Sequence, residues 1–216
     1  GEAPRPLPPR AIAGLRLGIP RGLLFTQTED EVLAAFEHAA GRLRQAGAHV
    51  GDDAFDDWLD APFRLQEQGT LVAAEAAHIH HDALLRQPEA FDPLVRGRIQ
   101  QGQAITASHY VGVQQARQAL LPRADAALAG FDALILPTVP CVAPPIADVR
   151  DEASFRSLNA LILRNPSVFN FLDLPALSLP LPRPGLLPIG LMVVGPRGAD
   201  RALLGIGAAI EALLQR

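Results

Sequence analysis

Apolar positions near the start of the chain recur at two spacings. Leu15, Leu17 and Ile19 fall on every second residue, the period of a half-buried strand, and Pro20 ends the run. From about Thr28 the spacing lengthens, and Val32, Phe36, Ala39, Ala40 and Leu43 share one helical face. Thr28 is the candidate N-cap, Glu29, Asp30 and Glu31 suit the first turn, and Gly47 suits the C′ position. Ala48-His49-Val50 predicts a second strand. Strand, helix and strand in this order predict a βαβ-like opening.

The middle of the chain predicts helices. One runs from about Leu65 to Arg86, with Leu71, Ala74, His78 and Leu84-Leu85 at apolar positions, and Pro88 breaks it. A short helix spans Pro93 to Gln101, with Asp92 as N-cap and Gly102 at its end. Thr106 caps a longer helix reaching about Leu128, which Pro122 threatens to kink.

The last third changes character. Ala133-Leu134-Ile135-Leu136, bounded by Gly130 and Pro137, is the unbroken apolar run of a strand buried on both faces. A proline-rich loop, Pro137 to Pro145, leaves its C-terminal end. Ser154 to Leu163 predicts a helix, Ala176 to Leu181 and Ile189 to Val194 two strands, and Ala199 to Leu214 a closing helix. The expected class is α/β, a mixed β-sheet flanked by helices. Residues 14–216 form this region, and residues 1–13, rich in proline, read as a linker or a cut end.

Composition narrows the function. Hydrophobic residues at 49% and charged residues at 19% describe a globular chain. A net charge of -4 without a basic patch predicts no nucleic-acid partner. No run approaches the roughly 18 apolar residues of a membrane helix, so no membrane partner is expected. A single cysteine, Cys141, rules out an intrachain disulfide and predicts a reducing, cytoplasmic location. All 19 basic residues are arginine. No lysine is therefore present to act as a base, a Schiff-base former or a phosphate ligand.

Several residues invite chemistry. Ligands in α/β folds bind beside the C-terminal ends of strands, which places Pro137-Thr138-Val139-Pro140-Cys141 at a candidate site; a rigid covering loop is the competing reading. His78 and His81 share a helical face one turn beyond Glu75, but further converging ligands are missing, and a hydrophilic surface is the better reading. Asp52, Asp53, Asp56, Asp57 and Asp60 read as a solvated loop rather than a divalent-ion site. Ser108 and His109 are adjacent, which does not make a catalytic pair. Gly205 and Gly207 lie in a helix without a third glycine and are no dinucleotide fingerprint. No metal and no cofactor are expected.

Taken in order, several segments resemble the amidase signature family. Gly14-Leu-Arg-Leu-Gly-Ile-Pro20 is similar to the strand opening its C-terminal half, and Arg96 to Gly102, with Ala107 and Tyr110, to its middle helices. Phe131-Asp-Ala-Leu-Ile-Leu-Pro-Thr138 with Ala143-Pro144 resembles its apolar strand and loop. Arg164-Asn-Pro-Ser-Val-Phe-Asn170, Pro175-Ala-Leu-Ser-Leu-Pro180 and Pro188 to Gly195 resemble its closing segments. The resemblance runs from about Gly14 to the end. It implies hydrolysis of carboxylic amides through an acyl-enzyme, by a serine nucleophile, a second serine on a cis peptide and a lysine base. In the family these lie upstream of the segments matched here. This sequence contains no lysine, no Ser-Ser pair and no Gly-Gly pair, so no catalytic residue carries over, and the chain alone is expected to be inactive.

The resemblance also implies site residues. Thr138 and Cys141 line the substrate pocket, and Asn170 orders the nearby chain by hydrogen bonding. Arg98 meets a substrate carboxylate, with a surface ion pair as its competing role. Asp173 stands where the family commonly has glycine, which leaves the turn before Pro175 open. The expected partners are a small amide substrate, once the chain is joined to the missing N-terminal half, and further copies of the chain by self-association. The alternative function is a non-catalytic binding or accessory module built on the same fold.

Overall fold

The structure, a computed structural model, describes residues 7, 10–52, 55–149 and 151–215. Most of the predicted linker therefore lies outside it. In chain order come β1 (Arg16–Gly18), α1 (Asp30–Gln45), β2 (His49–Gly51), α2 (Asp56–Leu59), α3 (Ala61–Leu65), α4 (Leu71–Ile79), α5 (His81–Arg86) and α6 (Pro93–Gln101). Next come α7 (Ala107–Leu128), β3 (Ala133–Pro137), α8 (Glu152–Phe171), β4 (Ala176–Leu181), β5 (Ile189–Val194) and α9 (Asp200–Leu214). The strands form one mixed sheet in the order β2-β1-β3-β5-β4. β1 runs parallel to β2 and β3, whereas β5 runs antiparallel to β3 and β4.

β3 organises the layers. Side chains alternate across a strand, so Ala133 and Ile135 point to one face while Leu134 and Leu136 point to the other. On the first face α1 and α9 pack Phe36, Leu43, Ile206 and Ile210 against Leu17, Leu191 and Val193. On the second, α7 and α8 bring Leu121, Leu128, Val168 and Phe169 against Met192 and Val194. Every residue of β3 is buried, as expected of a strand covered on both sides. A small satellite core of Ala77, Leu84 and Ile99 joins α4, α5 and α6. No helix among the described residues is long and apolar enough to cross a membrane.

Three predicted boundaries differ. The helix expected from Leu65 to Arg86 is broken twice. Gly69 takes φ +140°, Thr70 then caps a new helix by accepting from the Ala73 N–H at 3.0 Å, and the chain turns again at His80. Thr28 is not the cap of α1. The N-cap is Glu29, and the buried Thr28 Oγ1 has no hydrogen-bond partner. Tertiary contacts replace a local cap here: the Glu29 N–H donates to the Pro140 carbonyl at 2.9 Å, and its carboxylate accepts the Val142 N–H at 2.9 Å.

The helix expected to stop at Leu163 continues to Phe171, straight through Pro166. Burial of Arg164, Asn165, Val168, Phe169 and Phe171 outweighs the lost backbone donor, a case of packing overriding local propensity. α7 likewise continues past Pro122.

The glycines of α9 have a packing role. A Cβ on Gly207 would come within 2.4 Å of Leu177 Cδ1, so its bare backbone lets α9 settle onto β4. Gly190 on β5 is similarly constrained. A Cβ there would stand 2.5 Å from Ser178 Oγ and 2.6 Å from Thr138 Oγ1. Gly190→Ala should therefore cost about 1–3 kcal/mol in urea unfolding. Ser178→Ala should restore part of that loss, giving a coupling of at least about 0.5 kcal/mol in a double-mutant cycle. Additive single losses, or a neutral Gly190→Ala, would contradict this packing.

Candidate functional site

The C-terminal end of β3 is where the parallel part of the sheet opens, and the loop leaving it is tied down at several points. Thr138 continues the ladder, its N–H donating to the Gly190 carbonyl at 2.9 Å. Its hydroxyl lies 2.6 Å from Ser178 Oγ on β4, so two hydroxyls stand side by side over the bare Gly190. Thr138 is half-buried and Ser178 exposed, and their side chains are open to whatever approaches that end of the sheet.

Behind the loop lies a polar cluster inside the protein. Arg164 on α8 is 8% exposed and Asn165 is fully buried. The guanidinium donates to the Leu24 carbonyl at 2.9 Å, to the Thr26 carbonyl at 2.5 Å, to Thr26 Oγ1 at 3.1 Å and to Asn165 Oδ1 at 3.0 Å. Asn165 Nδ2 in turn donates to the Pro137 carbonyl at 2.9 Å. Among the described residues no carboxylate lies within salt-bridge distance of Arg164. Burial pulls the guanidinium below its ordinary range.

Cys141 is buried in the same region. Burial pushes its thiol above the ordinary range, the Glu29 carboxylate adds to the rise, and Arg164 opposes it. A thiol held protonated in this way is a weak nucleophile. Ser178 meets another hydroxyl rather than a base, so neither side chain is activated for attack by its neighbours.

Thr138 and Cys141 thus share the loop at the end of β3. Arg98 and Asn170 do not join them. Arg98 is exposed on α6 and reaches Asn159 on α8, Nη1 to Oδ1 at a long 3.4 Å. Asn170 is exposed near the end of α8, and its carbonyl accepts from the Asp173 N–H at 3.3 Å. At this end of the sheet Asn165 supplies a hydrogen bond to the chain, at the Pro137 carbonyl. The signal for it was present in the sequence, an Arg-Asn pair interrupting an apolar helix, but periodicity alone assigns such a pair no partner.

Asp173 resolves the question of the missing glycine. It takes φ +54°, in the left-handed region where glycine is usual and aspartate is tolerated better than most residues. Arg117 on α7 holds it, pairing with the Asp173 carboxylate and donating Nε–H to the Phe171 carbonyl at 2.6 Å.

The other candidates lie elsewhere. His78, His80 and His81 are exposed, and the turn at His80 separates His78 from His81. Glu75 accepts from the Tyr110 hydroxyl at 2.9 Å. Asp52 pairs with Arg21 at 2.8 Å and Asp60 pairs with Arg64; Asp53 lies outside the described residues, and Asp56 and Asp57 open α2. Ser108 is exposed, and His109 Nε2 lies 3.0 Å from the Gly69 carbonyl. An open hollow of about 540 Å³, lined in part by Arg16, Arg44, His49 and Phe131, sits where β1, β2 and β3 begin. The β3 end remains the stronger candidate, because α/β sheets bind ligands beside the carboxyl ends of their strands.

The 2-amino-5-chloromuconic acid deaminase of Comamonas testosteroni is 32% identical over 98% of this chain and 46% of its own length. The indoleacetamide hydrolase of Allorhizobium ampelinum is 28% identical over 95% of this chain and 48% of its own. A crystal structure of an amidase superposes with a TM-score of 0.79 at 31% identity, covering 96% of this chain and 48% of that one. The chain spans about half the length of the curated relatives it matches. The amidase family model matches residues 8–204, nearly the whole chain, and with the fold and the β3 loop in place the chain belongs to the amidase family.

Proposed function

We propose that this chain is the part of an amidase that walls the substrate cleft, working with a nucleophile and a base supplied from outside these 216 residues. One observation carries the reading. A chain that matches amidases throughout contains no lysine and no adjacent serines, so the serine–serine–lysine relay that the resemblance implies cannot be assembled from it. The substrate class is a small carboxylic amide, in keeping with a relative named for hydrolysing indoleacetamide. In this reading the loop from Pro137 to Cys141 faces the acyl part of the substrate. Thr138 offers its hydroxyl, and Cys141 shapes the floor without reacting. Attack, proton transfer and oxyanion stabilisation belong to the supplied residues. Arg98 remains a candidate for a substrate carboxylate and Asn170 a candidate pocket residue that orders the nearby chain by hydrogen bonding, since both side chains are exposed. The location proposed is the cytoplasm.

The surface supports association. Val72, Ile79 and Leu85, on α4 and α5, are each about 70% exposed, and β2 and β4 are the outer strands of the sheet. Apolar side chains and open strand edges favour contacts between chains. Sedimentation at micromolar concentration should show self-association, and a clean monomer would count against an incomplete amidase.

Purified alone, the chain should turn over no simple amide and take no label from a serine-directed fluorophosphonate. Co-expression with the half of the indoleacetamide hydrolase that this chain does not match should restore both. Stoichiometric labelling of the chain by itself would refute the assignment of the nucleophile. Tight binding of amides with no activity in the combined protein would favour the accessory-module alternative.

A further inference from the structure

We propose that Arg164, acting through Asn165, is a positioning residue that fixes the loop Pro137–Cys141 against the segment Leu24–Thr26. The consequence for substrate rests on the reading of that loop as a cleft wall. A buried cation with no carboxylate beside it among the described residues is an expensive way to fill a core, because an apolar side chain of similar volume would pack without losing hydration. What the guanidinium provides is direction. Its planar fork sends Nε, Nη1 and Nη2 to different acceptors at fixed angles and separations, whereas an ammonium has three freely rotating donors on one nitrogen. Those acceptors lie on Leu24 and Thr26, 140 and 138 residues away in sequence, and on the neighbouring Asn165.

Asn165 passes the constraint on. Its Oδ1 receives Arg164 Nε–H while its Nδ2 donates to the Pro137 carbonyl, so the amide cannot rotate without breaking a bond on each side. The far end of the loop is tied separately, through Glu29 to the Pro140 carbonyl and the Val142 N–H. Thr138, open to the surface, lies between the two ties, and the buried Cys141 sits within the second, flanked by its two bonds and near enough to Arg164 to feel its charge. Losing the first tie should free this stretch while the core on either face of β3 stays packed.

Cys141 is the only cysteine in the sequence, so its labelling by Ellman's reagent reports on this loop alone. In the unaltered chain labelling should need global unfolding, and its rate should rise steeply with urea. Arg164→Lys keeps the charge and loses the fork. It should label at least about tenfold faster without denaturant, at a rate nearly independent of low urea, the mark of local opening. Asn165→Leu cuts only the tie to Pro137 and should act in the same direction; it carries the test if Arg164→Lys does not fold. Labelling that stays urea-dependent and changes only in step with global stability would reduce Arg164 to a packing residue and overturn the proposal.

This readout needs no substrate, so its failure is distinct from failure of the amidase reading. In the combined active protein, Arg164→Lys should keep fluorophosphonate labelling and lose about tenfold in kcat/KM, since misplacing a wall disturbs orientation rather than the nucleophile. An unchanged kcat/KM would overturn the link between the clamp and the cleft.

Discussion

The structure hangs on burying β3 from both sides. Once Ala133 to Pro137 is sealed between α1 and α9 on one face and α7 and α8 on the other, its backbone has to be paired by β1 and β5. That pairing fixes a mixed sheet, parallel towards β2 and antiparallel towards β4. It also delivers the chain to one place, the point where Pro137 leaves the sheet. Polar groups there can no longer reach water freely, and Arg164, Asn165 and Glu29 satisfy them. The apolar burial of the strand and the polar cluster at its end are two results of one constraint.

Much of this was legible in the amino-acid pattern. The unbroken run Ala133-Leu134-Ile135-Leu136 announced a strand with no solvent face, and the spacing from Val32 to Leu43 announced α1. Asp92 and Thr106 cap their helices as their positions suggested, because those caps need only residues two or three places away. The misreadings share a cause. Thr28 lost its capping role to a loop more than a hundred residues distant, and α8 runs on past Leu163 because Val168, Phe169 and Phe171 are buried in the core beyond it. A local rule cannot see partners that only the fold brings near.

The site divides along the same line. Thr138 and Cys141 follow from the general position of ligands in α/β sheets, and both sit at the end of β3. Asn165 bonds the Pro137 carbonyl, while Asn170, five residues further along the helix and exposed, lies on a different face. The family resemblance rests on the order of motifs over the whole chain. The structure adds the reason those motifs occur together: the segments around Leu15, Phe131, Arg164, Ala176 and Ile189 all build or brace the same sheet.

Asp173 carries a consequence of another kind. A left-handed residue other than glycine costs about 1–2 kcal/mol, and at this junction between α8 and β4 the opposing charge of Arg117 offsets it. A glycine at that place would hold its shape regardless of the surrounding medium. Here the bend is partly ionic, and the aspartate side is half open to solvent. Dissolved salt screens such attractions. The energy of this bend, unlike that of a glycine turn, should therefore depend on the ionic composition of the solution around it, while ladder pairing holds the strands it leads into.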